Sequence, residues 1–189
     1  MLPIALNLNY THLKFNPIQH IIVASLHFRI AKQQDLSALT AIYNQAIQAQ
    51  QTADTIPYTV ETRLPWFEAH QQEKYPLYAV ELQNKTIGYG TLSQYRGGRG
   101  SLKGVVEVSY YLDKDCQGQG IGTALLQFLL KAAADLGFQH AYALLLDSNT
   151  GSVRLLEKFG FSRWGHLPEI ARFEDRICGQ FIYGKPLID

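Results

Sequence analysis

The sequence predicts a mixed α/β domain built on one central sheet. Three observations carry that prediction. First, β-type and helical segments follow one another as β-α-α-β-β-β-α-β-α-β-β, which is not the strict alternation of a doubly wound fold. Second, residues 140–146 are apolar nearly throughout, as a strand covered on both faces is. Third, the run Gln117-Gly118-Gln119-Gly120-Ile121-Gly122 joins an apolar strand to an amphipathic helix.

Residues 1–26 show no clear period and carry Pro3 and Pro17, so they are read as a loosely ordered or accessory extension ahead of a domain spanning 27–189. His27 to Ala31 is the first strand. Asp35 is the expected N-cap of the helix that follows. Leu36, Leu39, Ile42, Tyr43, Ala46 and Ile47 fall on one face of that helix. Residues 52–58 form a loop, with Pro57 favouring extended backbone before it. A second helix is expected over 62–72, which puts Pro65 in its first turn, where proline is tolerated.

Residues 77–82 and 86–94 make a hairpin turning at Asn84-Lys85. The loop Arg96-Gly97-Gly98-Arg99-Gly100 leads to a strand over 105–112. The glycine run follows, then a helix to about Leu136, stopped by Gly137. After the 140–146 strand come a helix over 149–158, a stop at Gly160, and strands near 161–164 and 177–183.

Composition excludes several classes. The formal net charge of +1 gives no global case for nucleic acid or an anionic membrane. The longest apolar stretches are too short to span a bilayer. No compact signal peptide stands at the start. Two cysteines, Cys116 and Cys178, do not make a multi-disulfide framework, which points to a cytoplasmic chain. The six histidines show no metal-ligand spacing, so no metal is expected.

Bare backbone N–H groups at a helix N-terminus make an anion site, usually for phosphate. The glycine run lacks the Lys of a P-loop. Its Gly-x-Gly-x-Gly spacing, late in the chain, does not fit a dinucleotide fingerprint. A coenzyme A pyrophosphate site is the third reading, and a strand–helix connection without ligand is the fourth.

Neighbouring residues narrow that choice. Gln117-x-x-Gly120-x-Gly122 resembles the signature of the Gcn5-related N-acetyltransferases. Asn149-x-x-Ser152 and Glu157-Lys158-Phe159-Gly160-Phe161 resemble that family's second helix and closing turn. Val106 to Leu112 resembles the strand ahead of the signature. Ile42-Tyr43-Asn44, Glu61 and Trp66-Phe67 are similar to the phosphinothricin acetyltransferase subgroup. The resemblance covers residues 28–187. It implies the acyl-CoA N-acyltransferase fold, a mostly antiparallel sheet with a splayed strand pair flanked by helices. It also implies acetyl-CoA as co-substrate, a small-molecule amine as acceptor and a homodimer. Backbone groups of Tyr110, Tyr111 and Leu112 would bind the pantetheine. The N–H groups of Gln117, Gly118, Gln119, Gly120, Ile121 and Gly122, with Thr123, would hold the pyrophosphate. Asn149 and Ser152 would contact the arm, although Asn149 equally suits helix capping.

Acetyl transfer needs a neutral amine, and an α-amino group titrates near ~8. A general base therefore helps at neutral pH. Glu107, a carboxylate within an apolar strand, is the expected base, and the resemblance places the subgroup's glutamate at that position. Strand alternation puts Glu107, Ser109 and Tyr111 on one face and Val106, Val108 and Tyr110 on the other. Many members of the family carry a tyrosine four residues before the glycine of the Gly-Phe turn. Here Leu156 stands there, so another group such as Tyr111 or water supplies the leaving-group proton, or the thiolate leaves unassisted. Arg96 and Arg99 are candidates for a substrate carboxylate, with Tyr58 an apolar wall of the acceptor site. Ser101 and Leu102 replace the aromatic that often follows those arginines, which leaves the acceptor open. The expected activity is N-acetylation of an amino-acid analogue of the phosphinothricin or methionine sulfoximine type. The alternatives are protein or peptide N-terminal acetylation and a non-catalytic acyl-CoA-binding module.

Overall fold

Seven strands form a single sheet in the order β1-β2-β3-β4-β5-β7-β6, and five helices flank them in the computed structural model, which describes residues 15–187. The strands are β1 (His27–Ile30), β2 (Leu77–Leu82), β3 (Lys85–Gln94), β4 (Val105–Leu112), β5 (His140–Leu146), β6 (Ser162–Arg172) and β7 (Ile177–Pro186). The helices are α1 (Pro17–Ala24), α2 (Leu36–Gln48), α3 (Val60–Ala69), α4 (Ile121–Asp135) and α5 (Thr150–Lys158). Every neighbouring pair is antiparallel except β4 and β5, which run parallel. The sheet is thus mixed and mostly antiparallel, as expected.

Strand alternation sorts the core into two layers. Tyr78 and Val80 of β2 and Val106 and Val108 of β4 pack with Leu125, Phe128 and Leu129 of α4 and Leu156 of α5. On the opposite face, Leu77, Ala79 and Tyr89 meet Leu39 and Ile42 of α2 and Phe67 of α3. The hydrophobic spacing read in α2 is what buries that face.

Several local expectations need correction. Asp35 stands at the N-cap position of α2 as expected, but its side chain makes no cap hydrogen bond; the carboxylate is turned inward and buried. It accepts hydrogen bonds from both terminal nitrogens of Arg29 (2.7 and 2.8 Å), the Lys32 N–H and the Thr86 hydroxyl. An ion pair across the sheet end outcompetes the cap. Helix α3 begins two residues earlier than expected, capped by Thr59 through a Thr59/Thr62 capping box, so Pro65 lies inside the helix rather than in its first turn. The hairpin turns at Gln83-Asn84, both with positive φ (51° and 62°), in the sense that suits the twist of a two-residue loop. Both closing strands are longer than read. Within 1–26, residues 17–24 form α1, which the sequence reading did not place; 1–14 lie outside the described residues. Leu144 of β5 is 42 % exposed and lies beyond the last position at which β4 pairs with β5.

Candidate active site

Strands β4 and β5 pair only at Val105↔His140, Val106↔Ala141 and Glu107↔Tyr142. Beyond Glu107 they diverge. Strand β4 stays on β3 as far as Leu112, and β5 stays on β7 as far as Leu146. The edge of β4 from Val108 to Leu112 therefore faces a gap instead of a strand. A cavity of about 700 Å³ lies beside this gap, and a second of about 50 Å³ lies within it. They share Gln51, Tyr110, Tyr111, Asn149 and Ser152. The larger volume is in the range of a small-molecule site.

The glycine run enters that cavity through Gln117, Gly118, Gly120, Gly122 and Thr123. Gly120 is the N-cap of α4 and adopts φ 86°, ψ −8°, a conformation open to glycine at little cost. No described group accepts a hydrogen bond from the backbone N–H of Gly118, Gln119 or Gly120. Free donors at the positive end of a fifteen-residue helix make an anion cradle. Lys114, whose charge the sequence reading passed over, lines the same cavity. Its N–H is tied to Gln45 of α2 at 2.8 Å. The Gln117 N–H closes back on Lys114 O at 3.4 Å, and its side chain donates to Leu112 O at 3.3 Å. Ile121 is buried in the core, so only its backbone is available, and neither it nor Gln119 lines the cavity.

Glu107 sits at the last paired position before the gap. Its Oε2 accepts a 2.5 Å hydrogen bond from the Tyr142 hydroxyl, directly across the parallel pair. Its Oε1 has only a 3.4 Å contact with Ser109 Oγ. Burial, and then the Glu107 carboxylate, push the Tyr142 hydroxyl far above its ordinary value. Tyr142 therefore stays protonated at neutral pH and holds its donor on Glu107. The Tyr95 ring packs edge-on against Tyr142 at 4.9 Å, and exposed Arg96 lies over Tyr95 at 5.7 Å. Glu107, Tyr142, Tyr95 and Arg96 thus form one cluster at the mouth of the gap. Arg99 is exposed, and its backbone N–H donates to Arg96 O at 3.4 Å.

Tyr111 points to the opposite layer from Tyr110, as alternation required. It stacks on Tyr89 (5.1 Å between centroids) and meets the Tyr43 edge at 5.0 Å. Burial raises its hydroxyl as well. Among the described residues the Tyr110 hydroxyl, near Ser152, has no hydrogen-bond partner, and burial pushes it up to about 12. Asn149 caps α5 by accepting from Ser152 N at 3.1 Å and lines both cavities, so capping and an exposed position coexist.

The loop before α3 is held by polar bonds. Asp54 accepts from Tyr43 at 2.6 Å and from Tyr58 at 3.2 Å, and Asn44 pairs with both backbone groups of Tyr58. Arg63, which the sequence reading missed, is 7 % exposed and lies 4.0 Å over Tyr43, 3.9 Å over Trp66 and 5.0 Å from Tyr58. Among the described residues no carboxylate pairs with it; three aromatic faces hold its charge. The β6–β7 turn reaches the same region, with Arg176 donating to Gln50 O at 2.6 Å. Tyr142 was also missed. A tyrosine inside an apolar strand needs a partner for its hydroxyl, and that was the available signal. Among the described residues no group of His, Cys, Asp and Glu is placed to hold a metal ion, and no helix is long and apolar enough to cross a membrane.

Known proteins share this architecture. The model of the acetyltransferase (GNAT) family matches residues 39–161. A Bacillus subtilis protein assigned by name to the phosphinothricin acetyltransferases is 38% identical over 160 residues, which is 84% of this chain and 98% of that one. An L-methionine sulfoximine/L-methionine sulfone acetyltransferase of Pseudomonas paraeruginosa is 32% identical over 151 residues, 78% of this chain and 87% of that one. A phosphinothricin acetyltransferase from Sinorhizobium meliloti, solved in complex with acetyl-CoA, superposes with a TM-score of 0.80 at 26% identity, over 86% of this chain and 88% of that one.

Proposed function

The chain belongs to the GNAT acetyltransferase family, and on that premise we propose that it acetylates the primary amine of a small amino-acid analogue, of the phosphinothricin or methionine sulfoximine type. It is an acetyl-CoA-dependent N-acetyltransferase. The observation that carries the finer reading is the Glu107–Tyr142 pair at the point where β4 and β5 part. The acceptor class is supported by what the relatives are named for and by Arg96 beside that pair.

The residues present fit coenzyme A. The unpaired edge of β4 offers backbone groups to the amides of the pantetheine arm. Tyr110, Tyr111 and Leu112 line that edge, and Asn149 and Ser152 face them from α5. The free N–H groups of Gly118, Gln119 and Gly120 suit a pyrophosphate, with Lys114 adding charge. Acetyl-CoA supplies an activated acyl thioester. Glu107 receives the proton that the acceptor amine must lose, and Tyr142 keeps that carboxylate aimed. Tyr111, protonated at neutral pH, holds a proton at its hydroxyl beside the gap. Leu156 is buried and has none to give. Arg96 pairs with an acceptor carboxylate, and Tyr58, fixed by Asn44, walls the acceptor side.

We further assign a cytoplasmic location, which the free thiols of Cys116 and Cys178 support. A homodimer is supported by the exposed Trp164, Leu167 and Ile170 on the edge strand β6. Sedimentation would measure that assembly. For the activity, release of the CoA thiol is followed across free amino acids, phosphinothricin, methionine sulfoximine and short peptides. Fast turnover of the amino-acid analogues is expected. Turnover confined to peptides, or tight acetyl-CoA binding with no turnover, would reject the acceptor reading.

A further inference from the structure

Helix α1 does not trail away from the domain. Val23 is 2 % exposed, and Ile22 and Leu26 pack against the core layer of α4. Its start is fixed by a capping box, in which Asn16 accepts from the Gln19 N–H at 2.9 Å and the Gln19 side chain accepts from the Asn16 N–H at 3.1 Å. Pro17 at the first helical position adds to that rigidity. This cap sets Phe15 beside the glycine turn. A methyl group built on Gly120 would stand 2.8 Å from Phe15 Cε1 and 3.7 Å from Gln19 Cβ. Phe15 and Gln19 both line the 700 Å³ cavity, together with Gly118, Gly120 and Lys114. His20 meets the Phe15 ring edge-on at 5.5 Å and steadies it.

We propose that α1 is a working part of the coenzyme site, with Phe15 forming an apolar wall against the nucleotide half of acetyl-CoA. This rests on the assignment of the glycine turn to the pyrophosphate. Two physical effects follow from the ring's position. It covers one side of Gly120, and a hydrogen bond to phosphate is stronger where water is kept out. It also offers a flat face to a purine or ribose. The cavity stays open with α1 seated, so the helix acts as a wall and not as a plug.

The test compares acetyl-CoA with S-acetylpantetheine, which keeps the thioester arm and lacks the pyrophosphate and nucleotide. Binding of each is measured by calorimetry on the native full chain, on Phe15→Ala and on Phe15→Tyr. Phe15→Ala is expected to weaken acetyl-CoA binding by about fivefold to tenfold, the scale of a lost aromatic contact with a base. It should leave S-acetylpantetheine unchanged, and Phe15→Tyr should bind acetyl-CoA within twofold of native. Unchanged or tighter acetyl-CoA binding by Phe15→Ala, or equal losses for both ligands, would overturn the proposal. Failure of the native chain to bind acetyl-CoA would overturn the cofactor assignment of the turn and this inference with it.

Discussion

Replacing Tyr142 by Phe removes one oxygen and tests how Glu107 is held. The ring, 7 % exposed, keeps its packing against Tyr95, so the fold should lose little. What is lost is the 2.5 Å bond to Glu107 Oε2, leaving the carboxylate only the 3.4 Å contact from Ser109. A hydrogen bond to a charged group is worth about 1.5–3 kcal/mol. If that energy holds the base in line, the rate falls by about 10- to 100-fold, since each 1.4 kcal/mol is tenfold. The assay is amine-dependent CoA release at saturating acetyl-CoA, with acetyl-CoA affinity measured separately by calorimetry. The loss should fall on kcat, with affinity unchanged. A double-mutant cycle gives the sharper result: Glu107→Gln/Tyr142→Phe should be no slower than Glu107→Gln alone, because Tyr142 acts only through that carboxylate. A Tyr142→Phe enzyme with native kcat, or full additivity in the cycle, would refute the reasoning.

Gly120→Ala should cost about 1–2 kcal/mol of stability from its left-handed backbone alone, and its methyl also meets the Phe15 ring. Acetyl-CoA affinity should fall by at least about tenfold, read by calorimetry beside a melting curve. Asp35 governs acid stability. Burial pushes its carboxyl up, but hydrogen bonds from Arg29, Lys32 N and Thr86 outweigh that and hold it below its ordinary value. Its contribution is therefore present above the unfolded value of ~3.9 and is lost as pH falls through the lower folded value. Asp35→Asn should lower stability at neutral pH by about 2–3 kcal/mol, since Arg29 keeps Glu81 as a partner. It should also flatten the loss between about pH 5 and 2 in urea melts.

Legibility in the sequence followed the range of the interaction. The glycine turn, the strand before it and the helix after it are local patterns, so their type and order could be read directly. Glu107 stands out because a carboxylate in an apolar strand is conspicuous, and it lies at the last paired position before the gap. Tyr142 lies thirty-five residues further on, and its contact depends on a parallel register that no local pattern fixes. Asp35 has the look of an N-cap, yet its partners Arg29 and Thr86 arrive from two separate strands and win the side chain. Arg63 needed the α2–α3 packing to show its aromatic surroundings. The start of α1 was marked locally, by Asn16, Pro17 and Gln19 in capping positions, and only its short length concealed it.

The central claim is that Glu107, at the mouth of the β4–β5 gap, takes the proton from the acceptor amine. The most direct measurement is kcat of Glu107→Gln at saturating acetyl-CoA, with phosphinothricin or methionine sulfoximine as acceptor and acetyl-CoA binding checked on the same protein. The account predicts a loss of about 10²- to 10⁴-fold in kcat with acetyl-CoA affinity unchanged. A Glu107→Gln enzyme that binds acetyl-CoA normally and turns over at the native rate would contradict it.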